Sequence, residues 1–188
     1  MIIFGLGNPG RRYRFTRHNA GQLFLEQVAR HYRKRFQRKK EYAVSHVRIK
    51  GKNVVLIKPK CWMNQCGDTI RALVRPSHEN FMVVVDDINL PAGRIRLRSK
   101  GSDGGHLGLR SVINVLQTDD FPRLRIGIGQ ANVDAADYVL GRFTADERKV
   151  LRAVIKEAIR GIQIMFSENF IKAQNYINAI HVELDSAP

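Results

Sequence analysis

His18 lies in Thr16-Arg17-His18-Asn19, just ahead of a stretch with helical spacing, which predicts a partly exposed ring with access to both protonation states near neutral pH. Such an imidazole either takes a proton from water or caps the helix, and one histidine does not decide between the two. Asp86 and Asp87 close the apolar run Met82 to Val85, so a carboxylate stands at the carboxyl end of a strand, where α/β sheets place their sites and where it can orient an imidazole. Two adjacent acids can also bind a metal. No histidine or acid recurs at ligand spacing, and only Asn89 follows closely, so no metal is expected. Trp62-Met63-Asn64-Gln65 follows Lys58-Pro59. It either lines a pocket, with Asn64 polarising a carbonyl, or plugs the core at the start of a helix through Ile70 and Leu73. Gly101-Ser102-Asp103-Gly104-Gly105-His106-Leu107-Gly108 precedes an apolar helix and reads as a lid, a phosphate-binding turn or a flexible linker.

The elements that must position these groups are legible as alternating runs. Met1 to Phe4, Val54 to Ile57, Met82 to Val85 and Leu124 to Ile128 are short, apolar and rich in β-branched residues, which predicts strands. Tyr42 to Ile49 and Val54 to Ile57 flank Lys50-Gly51-Lys52-Asn53, which suits a hairpin. Arg94, Arg96 and Arg98 share one face of a strand that alternates basic and apolar residues. Ala20, Phe24, Val28 and Tyr32 form one helical stripe and Val150, Val154, Ala158, Ile162 and Phe166 another. Thr144-Ala145-Asp146-Glu147 is a capping box for the second, and Phe170 to Ile180 predicts a further short helix. The basic run Arg33 to Lys40 reads as a solvated connection. Without repeats or a Ser/Pro-rich linker, the order predicts a single-domain α/β sandwich spanning 1–188, a twisted mixed sheet flanked by helices.

Gly5-x-Gly7-x-x-Gly10 after a strand matches the dinucleotide fingerprint, which would make the chain an oxidoreductase. That motif needs a helix opening at the glycines, whereas Asn8-Pro9 and Arg11 to Arg17 predict an irregular loop, and no acidic strand end follows at the right distance. Dinucleotide binding is therefore disfavoured. The balance of 32 lysines and arginines against 17 acids, net +15, favours a polyanionic partner. Cys61 and Cys66 lack a second ligand pair for zinc and read as reduced thiols. No segment reaches membrane-spanning length and the amino terminus lacks a signal-like apolar run, so a cytoplasmic protein is expected.

In shared order, Gly5-Leu6-Gly7-Asn8-Pro9-Gly10, Tyr13, Thr16-Arg17-His18-Asn19, Lys58-Pro59 with Met63-Asn64, Asp86, Gly104-Gly105-His106, Arg123 to Gly129 and Tyr138 to Phe143 resemble the bacterial-type peptidyl-tRNA hydrolase family, from Met1 to about Asn178. What the resemblance implies is hydrolysis of the ester between a peptide and the terminal ribose of tRNA, by a monomer without metal or cofactor. By motif position His18 is the general base, Asp86 holds its ring, and Asn64 holds the substrate carbonyl. Asn8 contacts the terminal adenosine or the ester, Met63 and Tyr13 shape the floor, and His106 lies in the lid. Arg96, Arg98 and Arg125 form the clamp on the 5′ phosphate, with bidentate geometry available to each. The family's Gly-Gly-His-Asn-Gly motif has Leu107 here in place of asparagine, which removes a substrate or water contact. Val85 replaces a histidine found in some members, without mechanistic consequence. The rival expectation is a catalytically weak RNA-binding relative, for which Leu107 is the main argument.

Overall fold

The computed structural model describes residues 1–74, 80–130 and 134–183. Among the described residues, seven strands form one mixed sheet: β1 (Ile2–Gly5), β2 (Gln37–Arg38), β3 (Tyr42–Ile49), β4 (Lys52–Pro59), β5 (Phe81–Asp87), β6 (Ile95–Arg98) and β7 (Arg123–Gly127), in the order β2-β3-β4-β1-β5-β7-β6. The central β4, β1, β5 and β7 are parallel, while β2, β3 and β6 run antiparallel to their neighbours. The described residues also form six α-helices: α1 (Ala20–His31), α2 (Cys66–Leu73), α3 (Leu107–Leu116), α4 (Ala135–Leu140), α5 (Ala145–Ser167) and α6 (Phe170–Ala179). The expected α/β sandwich is therefore the observed architecture.

The central strands are buried on both faces and feed two cores. Ile3, Leu56, Met82, Val84, Leu124 and Ile126 pack with α1, α5 and α6, whereas Phe4, Ile57, Phe81, Val83 and Val85 pack with α2 and α3. The predicted stripe of α1 is present through Val28, with Tyr32 falling at the C-cap, and the stripe of α5 and the capping box at Thr144 and Glu147 are present. The hairpin is tighter than expected: it closes on Lys50 and Gly51 alone, both at positive φ (47° and 80°), the turn whose twist matches that of paired strands. Within the basic run, Gln37 and Arg38 join the sheet as an exposed edge strand.

The glycines after β1 have a steric role. A Cβ on Gly5 would overlap the Gly21 carbonyl, and one on Gly21 would overlap the Val84 carbonyl. The pair lets α1 lie closely against β1 and β5. The chain runs from Gly7 through turns and a 3₁₀ turn, Arg17–Asn19, before α1 begins at Ala20, so no helix opens at the glycine motif. This close packing brings His18 to the carboxyl edge of the sheet.

Candidate active site

The pleat of β5 sends its two terminal acids to opposite sides. Asp86 follows Met82 and Val84 toward the α1 face, and Asp87 follows Val83 and Val85 toward the α3 face. His18 Nδ1 lies 3.1 and 3.0 Å from the two Asp86 carboxylate oxygens. His106 Nε2 lies 3.1 Å from Asp86 Oδ1, and its Nδ1 accepts the Leu109 N–H at 3.2 Å, capping α3. Because Nδ1 of His106 accepts, the proton of the neutral ring sits on Nε2 and is donated to Asp86. Asp86 as an anion offers only acceptors, so His18 donates from Nδ1 and keeps its lone pair on Nε2. Burial by itself would raise the Asp86 carboxyl; the electrostatic attraction of His106 and His18, with the hydrogen bonds they donate, outweighs it and holds the carboxyl well below the usual range. His18 is more enclosed than expected, with 7% of its surface exposed.

A cleft of about 750 Å³ opens over this group. His18, Asp86, His106, Asn8, Met63 and Asn64 all line it, so the imidazole, carboxylate and amide expected to converge do so. Asn8 is held by Asn19, which accepts the Asn8 backbone N–H at 2.9 Å and donates to the Asn8 carbonyl at 3.0 Å. The Asn8 side-chain oxygen in turn accepts the Met63 N–H at 2.9 Å, tying the first loop to the Trp62–Gln65 turn. Tyr13 stands outside the cleft lining, edge-on to Trp62 with ring centroids 5.8 Å apart. His106, expected in a lid, is buried beneath the cleft, where it caps α3 and donates to the Asp86 carboxylate.

Three features were not read from the sequence. Helix α4 supplies an apolar wall of Ala135, Ala136, Val139 and Leu140. Its signal was present in Asp134, whose carboxylate accepts the N–H groups of Ala136 and Asp137, but a six-residue helix shows too little periodicity to stand out. Arg17 grips Glu147 with two contacts of 2.8 Å and lies 4.3 Å from the Tyr138 ring, fastening the turn that carries His18 to the start of α5. Asn19 was seen only as part of its motif. Leu107, half exposed, lies at the mouth of the cleft.

Arg96 on β6 faces Arg125 on β7 in register, but the two differ in environment. Arg96 and Arg98 are exposed and make no ion pair among the described residues. Arg125 is mostly enclosed, pairs with Asp87 at 2.6 Å and reaches the carbonyls of Ser102 and Asp103. The glycine-rich turn is thus pinned to the sheet by Arg125. Among the described residues, His18, Asp86 and His106 are also the one group of side chains whose ligand atoms, within 4.8 Å of one another, can hold a metal ion. An ion there would have to displace both His–Asp hydrogen bonds.

The family model described as peptidyl-tRNA hydrolase matches residues 2–185. The peptidyl-tRNA hydrolase of Fervidobacterium nodosum is 41% identical, covering 97% of this chain and 98% of that protein. That of Thermodesulfovibrio yellowstonii is 37% identical over 96% and 100%. The crystal structure of peptidyl-tRNA hydrolase from Acinetobacter baumannii superposes with a TM-score of 0.85 at 31% identity, covering 96% of this chain and 95% of that one. With a match along nearly its whole length, the chain belongs to the peptidyl-tRNA hydrolase family.

Proposed function

We propose that the protein hydrolyses the ester joining a peptide to the terminal ribose of tRNA, with His18 as general base. The observation that carries this reading is the His18–Asp86 contact of 3.0 Å beneath the cleft, which leaves Nε2 as the ring nitrogen without a protein partner among the described residues. A water bound there gives its proton to Nε2 as its oxygen attacks the ester carbonyl. The Asn64 amide, and the Asn8 amide beside it, donate to the oxyanion that forms. Asp86 stays anionic and stabilises the imidazolium. When the intermediate collapses, the ester C–O bond breaks, the ribose oxygen takes the proton from Nε2 to leave as a free tRNA hydroxyl, and the peptide leaves as a carboxylic acid that ionises to solvent. Met63 and the α4 wall give the acyl side an apolar seat, while Tyr13 acts indirectly, by supporting Trp62.

On the same reading Arg96, Arg98 and Arg125 hold a tRNA phosphate, with Arg125 partly neutralised by Asp87. The protein works as a monomer in the cytoplasm; no described helix is long and apolar enough to cross a membrane. The test is release of an N-blocked amino acid from its tRNA. His18→Ala is expected to lower the rate about 10²- to 10⁴-fold with little effect on tRNA affinity. Tight tRNA binding without release by the unmodified protein would replace the hydrolase by the RNA-binding relative.

A further inference from the structure

Cys61 and Cys66 bracket the turn that carries Trp62, Met63 and Asn64, and their sulfurs are 3.1 Å apart. Both ends of this segment are anchored. The Lys60 N–H donates to the Glu41 carbonyl at 2.9 Å, and Gly67, next to Cys66, donates to Ser111 Oγ of α3 at 3.0 Å. Cys66 is fully buried at the first position of α2, whereas Cys61 is partly open to solvent. We propose that these two thiols are an oxidation site: peroxide converts them to an internal disulfide that shifts the Trp62–Gln65 turn and slows the enzyme reversibly.

The chemistry is set by the asymmetry of the pair. The hydrogen bond between the two sulfurs outweighs burial and, with Thr69, pushes the Cys61 thiol down to about 7, while the same bond and burial push Cys66 up. Cys61 is therefore the attacking thiolate and Cys66 the resolving thiol. The Cys61 sulfur takes an oxygen from hydrogen peroxide, giving a sulfenic acid and hydroxide. The Cys66 sulfur then attacks Cys61, the S–S bond forms, the S–O bond breaks, and the departing hydroxide leaves with the Cys66 proton as water. In sum two thiols lose two hydrogens and one peroxide becomes two waters. Closing the sulfurs to the covalent length of about 2.05 Å moves them by about 1 Å. That movement falls between Asn8, which holds Met63, and Tyr13, which holds Trp62. A displacement of this size in a positioning segment costs up to about 100-fold in rate.

Trp62 is the chain's single tryptophan and lies inside the ring that the disulfide closes, so its fluorescence reports the bond directly. The reduced protein is titrated with hydrogen peroxide while intact mass, peptide maps, Trp62 emission and turnover of an N-blocked aminoacyl-tRNA are followed. The expected result is a mass lower by the two thiol hydrogens, a Cys61–Cys66 cross-linked peptide, quenched emission and turnover reduced about 10-fold or more, all reversed by dithiothreitol. Cys61→Ser, which replaces the more exposed partner, is expected to keep basal turnover and to show none of these responses. The proposal is overturned by oxygen addition to either cysteine without the internal cross-link, by cross-linked dimers, or by a cross-link that leaves emission and turnover unchanged. The effect on turnover rests on the hydrolase reading, whereas mass and emission decide the bond even if the reduced protein releases nothing.

Discussion

A single anion organises two imidazoles of different duty. His106 spends both ring nitrogens on protein partners, one on Asp86 and one on the Leu109 N–H, so it is fixed and leaves His18 Nε2 as the available base. Asp86 ionises more readily in the folded chain than unfolded. Its stabilising contribution is therefore present above the unfolded value of about 4 and is lost as the pH falls through the lower folded value. The difference in melting temperature between the protein and Asp86→Asn is expected to narrow as the pH drops below about 4, followed by calorimetry across acid pH; an unchanged gap there would mean that the fold does not favour the anion. Leu107 marks the opposite situation, an apolar, half-exposed side chain at the mouth of the cleft where the resemblance leads one to expect asparagine. Leu107→Asn is expected to raise turnover by about 10- to 100-fold, the worth of one hydrogen bond of about 1 to 3 kcal/mol. Equal or lower turnover would show that the leucine is compensated elsewhere.

Between the elements, the strut from Arg17 to Glu147 joins segments 130 residues apart. Glu147 also closes the capping box, accepting the Thr144 N–H at 2.6 Å, so one carboxylate serves both the end of α5 and the turn before α1. Its carboxyl is held below the ordinary range by Arg17 and the Thr144 N–H against the opposing effect of burial. Removing one partner of such a largely enclosed pair leaves the other without its counter-charge. Arg17→Ala is expected to cost about 2 to 3 kcal/mol in urea unfolding, discounted for the partial exposure of Glu147. The double variant Arg17→Ala with Glu147→Ala should lose less than the sum of the single changes. Additive losses would mean that the two side chains stabilise the fold independently.

Over the whole molecule, the net charge of +15 suits a polyanionic partner but does not say where one would lie. The exposed guanidinium groups of Arg96 and Arg98, on the edge strand β6 beside β7, which carries Arg125, give that charge a direction. Three phosphate contacts predict that log affinity for tRNA falls against log salt with a slope of about −2 to −3. Arg96→Ala is expected to reduce that slope by about 0.7 to 0.9. Arg125→Ala should change it less, because Asp87 already offsets part of that charge, and should instead loosen the glycine-rich turn. Fluorescence titrations at several salt concentrations separate the two; equal slope losses would make Arg125 a full phosphate contact.

Local signals in the sequence determined most of the elements: β-branched runs gave the central strands, the apolar stripes gave α1 and α5, and Thr144 with Glu147 marked the start of α5, because each is a property of neighbouring residues. The order of motifs also made the convergence of His18, Asp86 and Asn64 legible. Adjacency across the sheet was not. Asp87 meets Arg125 because β5 pairs with β7, and the period-two pleat alone decides that Asp86 goes to the histidines while its neighbour takes the arginine. The same holds for Arg17 with Glu147 and for the enclosure of His18, since charge pairing and burial depend on which distant segments the fold brings together.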